Sequence, residues 1–104
     1  MNKPALLLAV QAALEGDWDQ SHKIAQDYSD PMANWIHAVL HKIEGDEWNS
    51  KYWYARTDGK KYEGYSDANA ELIAIQNSLK WSNGCPEILM DIAFQSIIFL
   101  SYRF

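Results

Sequence analysis

The chain has 104 residues, a length typical of one domain, and 48% of them are hydrophobic, as in ordinary globular proteins. Its net charge is −5 with no basic stripe, so binding to nucleic acid or to an anionic membrane surface is not expected. One cysteine, Cys85, excludes a disulfide within the chain and a cysteine-based metal cluster, and this usage favours a cytoplasmic protein.

Capping residues and turn glycines predict four helices between Met1 and Thr57. Pro4 lies in the first turn of the first helix, and Gly16 ends that helix. Asp17, Asp30 and Asp46 are good N-caps for the next three, and Gln20 completes a capping box with the first of them. The predicted helices cover residues 3–15, 18–28, 31–44 and 48–57.

These helices form a repeat. The segments "LEGDWDQSHKIAQ" and "IEGDEWNSKYWYA" share a Glu-Gly-Asp turn that begins at Glu15 and again at Glu44. Each turn joins one helix to a second helix that opens with aromatic residues. Stacked antiparallel helical hairpins are typical of this pattern, because a single hairpin cannot bury its apolar face alone. Residues 1–57 are therefore predicted to form two hairpins.

The second half of the chain is predicted to close the core. After the polar loop "TDGKKYEGYS", a fifth helix over residues 67–80 carries Leu72, Ile75 and Leu79 on one stripe. The segment after Pro86 fits either a helix or a strand, and it is too short and too interrupted to cross a membrane. We thus expect one all-α domain, 1–104, of five to six helices, with residues 66–104 forming its C-terminal part.

The last segment also bears on assembly. Apolar side chains between Ile88 and Phe104 surround a helix more widely than one core face needs. Such a surface is unusual in a small soluble monomer. We therefore expect a homo-oligomer, in the simplest case a homodimer, through this segment.

The middle of the chain resembles a family of small uncharacterised bacterial proteins. The motif is "H…Q…WIHAVLHKIEGD…N…YWY", between His22 and Tyr54, and Ala55 follows where relatives continue with an Arg-Arg-Ala-Gly-like segment. The resemblance implies no catalytic role, because that family has no established activity. More distantly, the hairpins are similar to tetratricopeptide and Sel1-like repeats, which implies binding to other proteins. The motif residues are His22, Gln26, Trp35, Ile36, His37, Ala38, Leu40, His41, Glu44, Gly45, Asp46, Asn49, Tyr52, Trp53 and Tyr54.

One helical face in this motif concentrates polar groups. On an ideal helix His37, His41 and Glu44 lie within about 60° of one another, and Asn34 joins them outside the apolar stripe. Histidines four residues apart can both bind one metal ion, and His22 on the preceding helix could supply a third imidazole. Such a set suits Zn²⁺, or a non-haem iron with Glu44 as the carboxylate ligand.

Two other interpretations of this face stay open. The histidines could hydrogen-bond across the hairpin while Glu44 holds the turn by accepting backbone N–H groups. The face could also bind a small molecule or peptide. At least one of Tyr52, Trp53 and Tyr54 should face solvent or a cleft, where it could form an aromatic cage for a cation with Trp18 and Trp35; packing of these rings in the core is the alternative. The candidate ligand-binding residues are Asn34, His37, His41, Glu44, His22 and Trp53.

No nucleophile elbow, phosphate-binding glycine loop or dinucleotide fingerprint occurs in the sequence. We therefore expect a non-enzymatic protein-interaction or ligand-binding module without a cofactor. The alternative is a metal-binding or metal-dependent protein that uses His22, His37, His41 and Glu44, with zinc as the metal.

Overall fold

The computed structural model describes residues 1–80. This part contains α-helices and one short 3₁₀-helix and no strand, which confirms the predicted all-α fold of antiparallel helical hairpins. None of its helices is long and apolar enough to span a membrane. The predictions for the segment after Pro86, including the contact between copies from Ile88 to Phe104, lie outside the described residues. The elements are α1 (Lys3–Leu14), α2 (Trp18–Ala25), α3 (Pro31–Ile43), α4 (Glu47–Tyr54), the 3₁₀-helix (Tyr62–Gly64) and α5 (Ala68–Lys80).

Helices α2 and α4 end slightly before their predicted ends, at Ala25 and Tyr54. The reason is the geometry of the last turn. The amides of Tyr28 and Thr57 donate to carbonyls three residues back, so the chain tightens into turns instead of continuing the helix. Such small differences at helix ends do not change the topology.

The two Glu-Gly-Asp turns have the same geometry. Gly16 and Gly45 both adopt the left-handed conformation, with φ of 87° and 83°. In each turn the glycine amide donates to the carbonyl three residues back, and the aspartate amide that follows donates to the carbonyl five residues back. This pair of bonds is the Schellman motif, which satisfies the carbonyls at the end of a helix. The prediction that a glycine ends the first helix of each hairpin is confirmed.

The aspartates that follow these turns start the next helices. The side chain of Asp17 accepts from the amide of Gln20 at 3.2 Å, and Asp46 accepts from the amide of Asn49 at 3.2 Å. The side-chain amide of Asn49 also donates to Asp46, at 2.8 Å. The capping box at Asp17 is only half formed, because the Asp17 amide donates to a carbonyl at the end of α1.

The repeat extends into the packing of each hairpin. Ser21 and Ser50 occupy equivalent positions after the two turns, and both are fully buried. The hydroxyl of Ser50 donates to the carbonyl of Ala38 at 2.7 Å, whereas that of Ser21 has no partner in the described structure. Small side chains at these positions let the paired helices approach closely. Within residues 1–80 the fully buried large apolar residues are Leu6, Val10, Ile36, Val39, Leu40, Leu72, Ile75 and Leu79.

Helix α5 is attached to the hairpins by a buried charge. Glu71 is only 1% exposed. Its Oε2 accepts from Trp35 Nε1 at 2.7 Å and from the Tyr54 hydroxyl at 2.6 Å, while Oε1 accepts from Lys42 Nζ at 2.7 Å. Burial raises the pKa of Tyr54 most, and the hydrogen bond to Glu71 raises it further, so the hydroxyl remains a donor. Glu71 therefore fixes α5 against α3 and α4.

The turn glycines give a first prediction. Replacing Gly45 with alanine should lower the free energy of unfolding by about 1–2 kcal/mol, because a side chain disfavours the left-handed conformation. A Cβ there would meet no atom of residues 1–80 within 4 Å, so the expected loss comes from backbone strain and not from a steric clash with this part of the chain. Gly64→Ala is the matched control, since Gly64 has no positive φ and equal space. Urea denaturation measures both variants, and equal losses would contradict the turn geometry.

The buried carboxylate gives a second prediction. Glu71→Ala should destabilise the protein by about 3–5 kcal/mol, because it leaves the Lys42 ammonium without its counter-ion and two neutral donors without an acceptor. Glu63→Ala is the control, because Glu63 is exposed and its ion pair with Lys51 is long, at 3.8 Å. Surface ion pairs contribute little, so this control should melt close to the wild type. Thermal melts compare the two, and a small effect of Glu71→Ala would show that the network is dispensable.

Candidate functional site

Three imidazoles meet where the two hairpins pack together. His22 lies on α2, and His37 and His41 lie one turn apart on α3; these residues are called the histidine cluster below. The ring centroids are 4.6 Å apart for His22 and His37, 5.5 Å for His22 and His41, and 5.0 Å for His37 and His41. One ring nitrogen from each residue lies within 4.8 Å of the other two. The structure thus brings together the three histidines that the sequence selected.

Glu44 orients one of these rings. Its Oε1 lies 2.6 Å from Nδ1 of His41. An ionised carboxylate can only accept, so Nδ1 carries the hydrogen and Nε2 of a neutral His41 keeps its lone pair. Glu44 therefore pairs with His41 instead of holding the backbone amides of the turn.

The other two rings are held by indoles. Trp18 stacks on His22 with centroids 4.7 Å apart and planes inclined by 10°, and Trp53 stacks on His37 at 4.0 Å and 12°. Trp18 is fixed in turn, because its Nε1 donates to the carbonyl of Leu40 at 2.7 Å. No ring nitrogen of His22 or His37 has a hydrogen-bond partner among residues 1–80. A hydrogen-bond network across the hairpin, one of the expected alternatives, is therefore not what holds these two histidines.

The surroundings keep His22 and His37 neutral. His37 is 5% exposed. Its burial is the largest cause that lowers its pKa from 6.5 to about 4, and charge repulsion from His22 and His41 adds to the shift. Burial and then His41 also lower the pKa of His22, although Glu44 and Asp19 oppose the shift. At neutral pH these two imidazoles therefore carry a lone pair, and this is the form that binds metal ions.

Two residues proposed for the site have other contacts. The side-chain amide of Asn34 donates to the carbonyls of Ser29 and Arg56, at 3.2 and 3.1 Å, and so joins the loop before α3 to the end of α4. The indole of Trp35 binds Glu71 and lies under the ammonium of Lys60, 4.5 Å from the ring centroid. Trp35 therefore belongs to the Glu71 network.

Asp46, a second acidic residue beside the cluster, already has hydrogen-bond partners. His41, Glu44 and Asp46 also have possible ligand atoms within 4.8 Å of one another. Both carboxylate oxygens of Asp46 accept from Asn49, however, and these bonds lower the pKa of Asp46. Asp46 is thus occupied as the cap of α4.

The sequence did not identify Trp18 as the ring that holds His22. The signal was present, because the two residues are four apart on one helix and such pairs face each other. Trp53, which was assigned to the site, does lie against His37.

Comparison with protein-family models, curated proteins and solved structures gives no match to this chain. The resemblance of its motif to small bacterial proteins therefore stays a prediction. The function has to be inferred from the geometry and electrostatics of the histidine cluster.

The lowered pKa of His37 predicts a pH dependence in the metal-free protein. Between pH 4 and 6.5 the unfolded chain binds a proton at this residue that the folded chain does not, so stability should rise with pH across this range. Above 6.5 the residue is neutral in both states and its contribution is constant. His37→Phe keeps an aromatic ring against Trp53 and cannot titrate, so its stability should depend less on pH. Urea denaturation at several pH values tests this, and identical slopes in both proteins would contradict the burial of a neutral His37.

Proposed function

We propose that this protein binds one divalent transition-metal ion, with zinc as the reference, through His22, His37 and His41. The single observation that carries the proposal is the convergence of three imidazoles with possible ligand atoms within 4.8 Å of one another. Neutral imidazole is a good ligand for zinc, copper, nickel and iron.

The spacing of the rings supports this proposal. Zinc binds imidazole nitrogen at about 2.0–2.1 Å with tetrahedral angles, which places the centroids of two bound rings about 5 Å apart. The three centroid distances in the cluster are 4.6, 5.0 and 5.5 Å. Small side-chain rotations would then suffice to direct the nitrogens at one point.

Glu44 takes the outer position in this proposal, as a partner of His41 and not as a ligand. Ligating histidines commonly donate their other N–H to a carboxylate, which fixes the tautomer and the ring. A non-haem iron site would instead need the carboxylate as a direct ligand with two histidines. The pairing of Glu44 with His41 therefore favours zinc-type coordination by three imidazoles, with a fourth position for water.

The repeat gives an independent argument. When the two Glu-Gly-Asp turns are aligned, His37 corresponds to Leu8, His41 to Ala12, and His22 to Lys51. The helical hairpin is therefore built in the other copy without any of these imidazoles. The turn glycines and the small buried serines, by contrast, recur in both copies. A requirement of the hairpin itself thus does not explain the histidines.

Other expectations from the sequence stay predictions. A protein-interaction module has some support in an exposed aromatic face on α4, where Trp48 is 74% exposed and stacks on Tyr52. Nothing on that face specifies a partner, so the metal site is the better-supported function. The likeness to tetratricopeptide repeats, the cytoplasmic location and the homo-oligomer also stay predictions.

Calorimetric titration with Zn²⁺ tests the proposal. The wild type should bind one equivalent, and His41→Ala should abolish binding while circular dichroism shows an unchanged helical content. Glu44→Gln should weaken binding about 10- to 100-fold, as loss of an outer partner does at metal sites. Glu47→Gln is the matched control, because Glu47 is a nearby exposed glutamate that pairs with Lys51.

Thermal melts separate this function from a purely structural role. If the cluster only stabilises the fold, His41→Ala should cost about 1–3 kcal/mol and Zn²⁺ should not raise the melting temperature of the wild type. That combination would contradict metal binding.

A further inference from the structure

We infer that Trp18 and Trp53 are positioning residues of this metal site, which hold the His22 and His37 rings by face-to-face stacking. The inference rests on the proposed function and extends it to two residues outside the ligand set. At a metal-bound histidine a hydrogen-bond partner usually orients the ring, and here the indole faces would do so.

The three rings of the cluster are held in two different ways. His41 has a carboxylate partner at 2.6 Å, which is the usual arrangement. His22 and His37 have no hydrogen-bond partner within residues 1–80, yet each has an indole almost parallel to its ring. The two histidines without a hydrogen bond are thus the two that are stacked.

Stacking suits a ligand ring for a geometric reason. A hydrogen bond to an imidazole uses one of its two nitrogens, whereas an indole on the ring face leaves both edge nitrogens free. It also resists rotation of the ring about its bond to Cβ, because rotation would separate the two faces. His22 and His37 can therefore present a lone pair in a defined direction without a bonded partner.

The contact should strengthen when metal binds. Coordination draws electron density from the imidazole, so the ring becomes more positive. The face of an indole carries negative charge and attracts cations, more strongly than the face of a phenylalanine ring. Trp18 and Trp53 would therefore favour the metal-bound state over the metal-free state, which is a contribution to affinity and not only to folding.

Both indoles are themselves fixed. Trp18 donates to the Leu40 carbonyl at 2.7 Å, and Trp53 meets the ring of Tyr52 edge-on, with centroids 5.2 Å apart. In the other copy of the repeat, the residue equivalent to Trp53 is Ile24, and the one equivalent to Trp18 is Glu47. The hairpin therefore accepts a non-aromatic residue at each position.

The experiment compares Zn²⁺ affinity and metal-free stability in the full chain. Trp53→Leu should weaken zinc binding by about tenfold, the lower end for loss of an orienting partner. Trp53→Phe should recover part of the affinity, because it restores a stacked ring. Tyr65→Leu is the control, since Tyr65 is an exposed aromatic residue that makes no ring contact with the cluster or with Tyr52 within residues 1–80. Its affinity should equal that of the wild type.

The outcomes separate the inference from the proposed function. If Trp53→Leu lowers metal-free stability and leaves the zinc Kd unchanged, the indole is only part of the core and the inference is wrong, while the metal site stands. If Trp53→Leu does not fold, Trp53→Phe and Trp18→Phe decide, and wild-type affinity in both would overturn the inference. If the wild type takes up no zinc, the proposed function fails and the inference fails with it.

Discussion

Glu71 carries a carboxylate into a helical core, where an ionised group is stable only if its oxygens are paired. Its partners come from both helices of the second hairpin: Trp35 and Lys42 from α3, and Tyr54 from α4. Hydrogen bonds are directional, so these three contacts fix α5 against that hairpin more narrowly than apolar packing alone. The aliphatic neighbours of Glu71 on α5, such as Leu72 and Ile75, then fill the core beside it.

The same helix connects this network to the histidine cluster. At about 100° per residue, Trp35 and Lys42 lie near one another on one side of α3, and His37 and His41 lie about 130° away from them around the helix axis. Helix α3 is thus held by a charge network on one side and contributes two imidazoles on the other. Because its rotation is fixed by Glu71, the directions of the two histidines towards α2 are fixed as well.

The sequence predicted the features that depend on local chemistry. Gly45 and Asp46 define a turn and a helix start wherever they occur, and His37 and His41 share a face because they are four residues apart. The sequence did not predict the burial of Glu71 or its hydrogen-bond partners. That residue lies on the apolar stripe of α5, one turn from Ile75, but a glutamate on such a stripe is normally placed at its exposed edge. Its burial depends on donors from Trp35 and Tyr54, which are distant in the chain, and local periodicity contains no information about them.

A comparable limit applies to the histidine cluster. Spacing showed that His37 and His41 are neighbours, but not whether hydrogen bonds or stacking would hold them. The structure shows that His37 is buried, neutral and without a hydrogen bond among the described residues, and that its ring packs face to face on Trp53. A bound ion would supply the missing partner for its lone pair, and a ligand that binds only the folded state stabilises that state in proportion to the logarithm of its concentration. The burial that keeps His37 neutral would therefore also make the stability of the fold respond to metal.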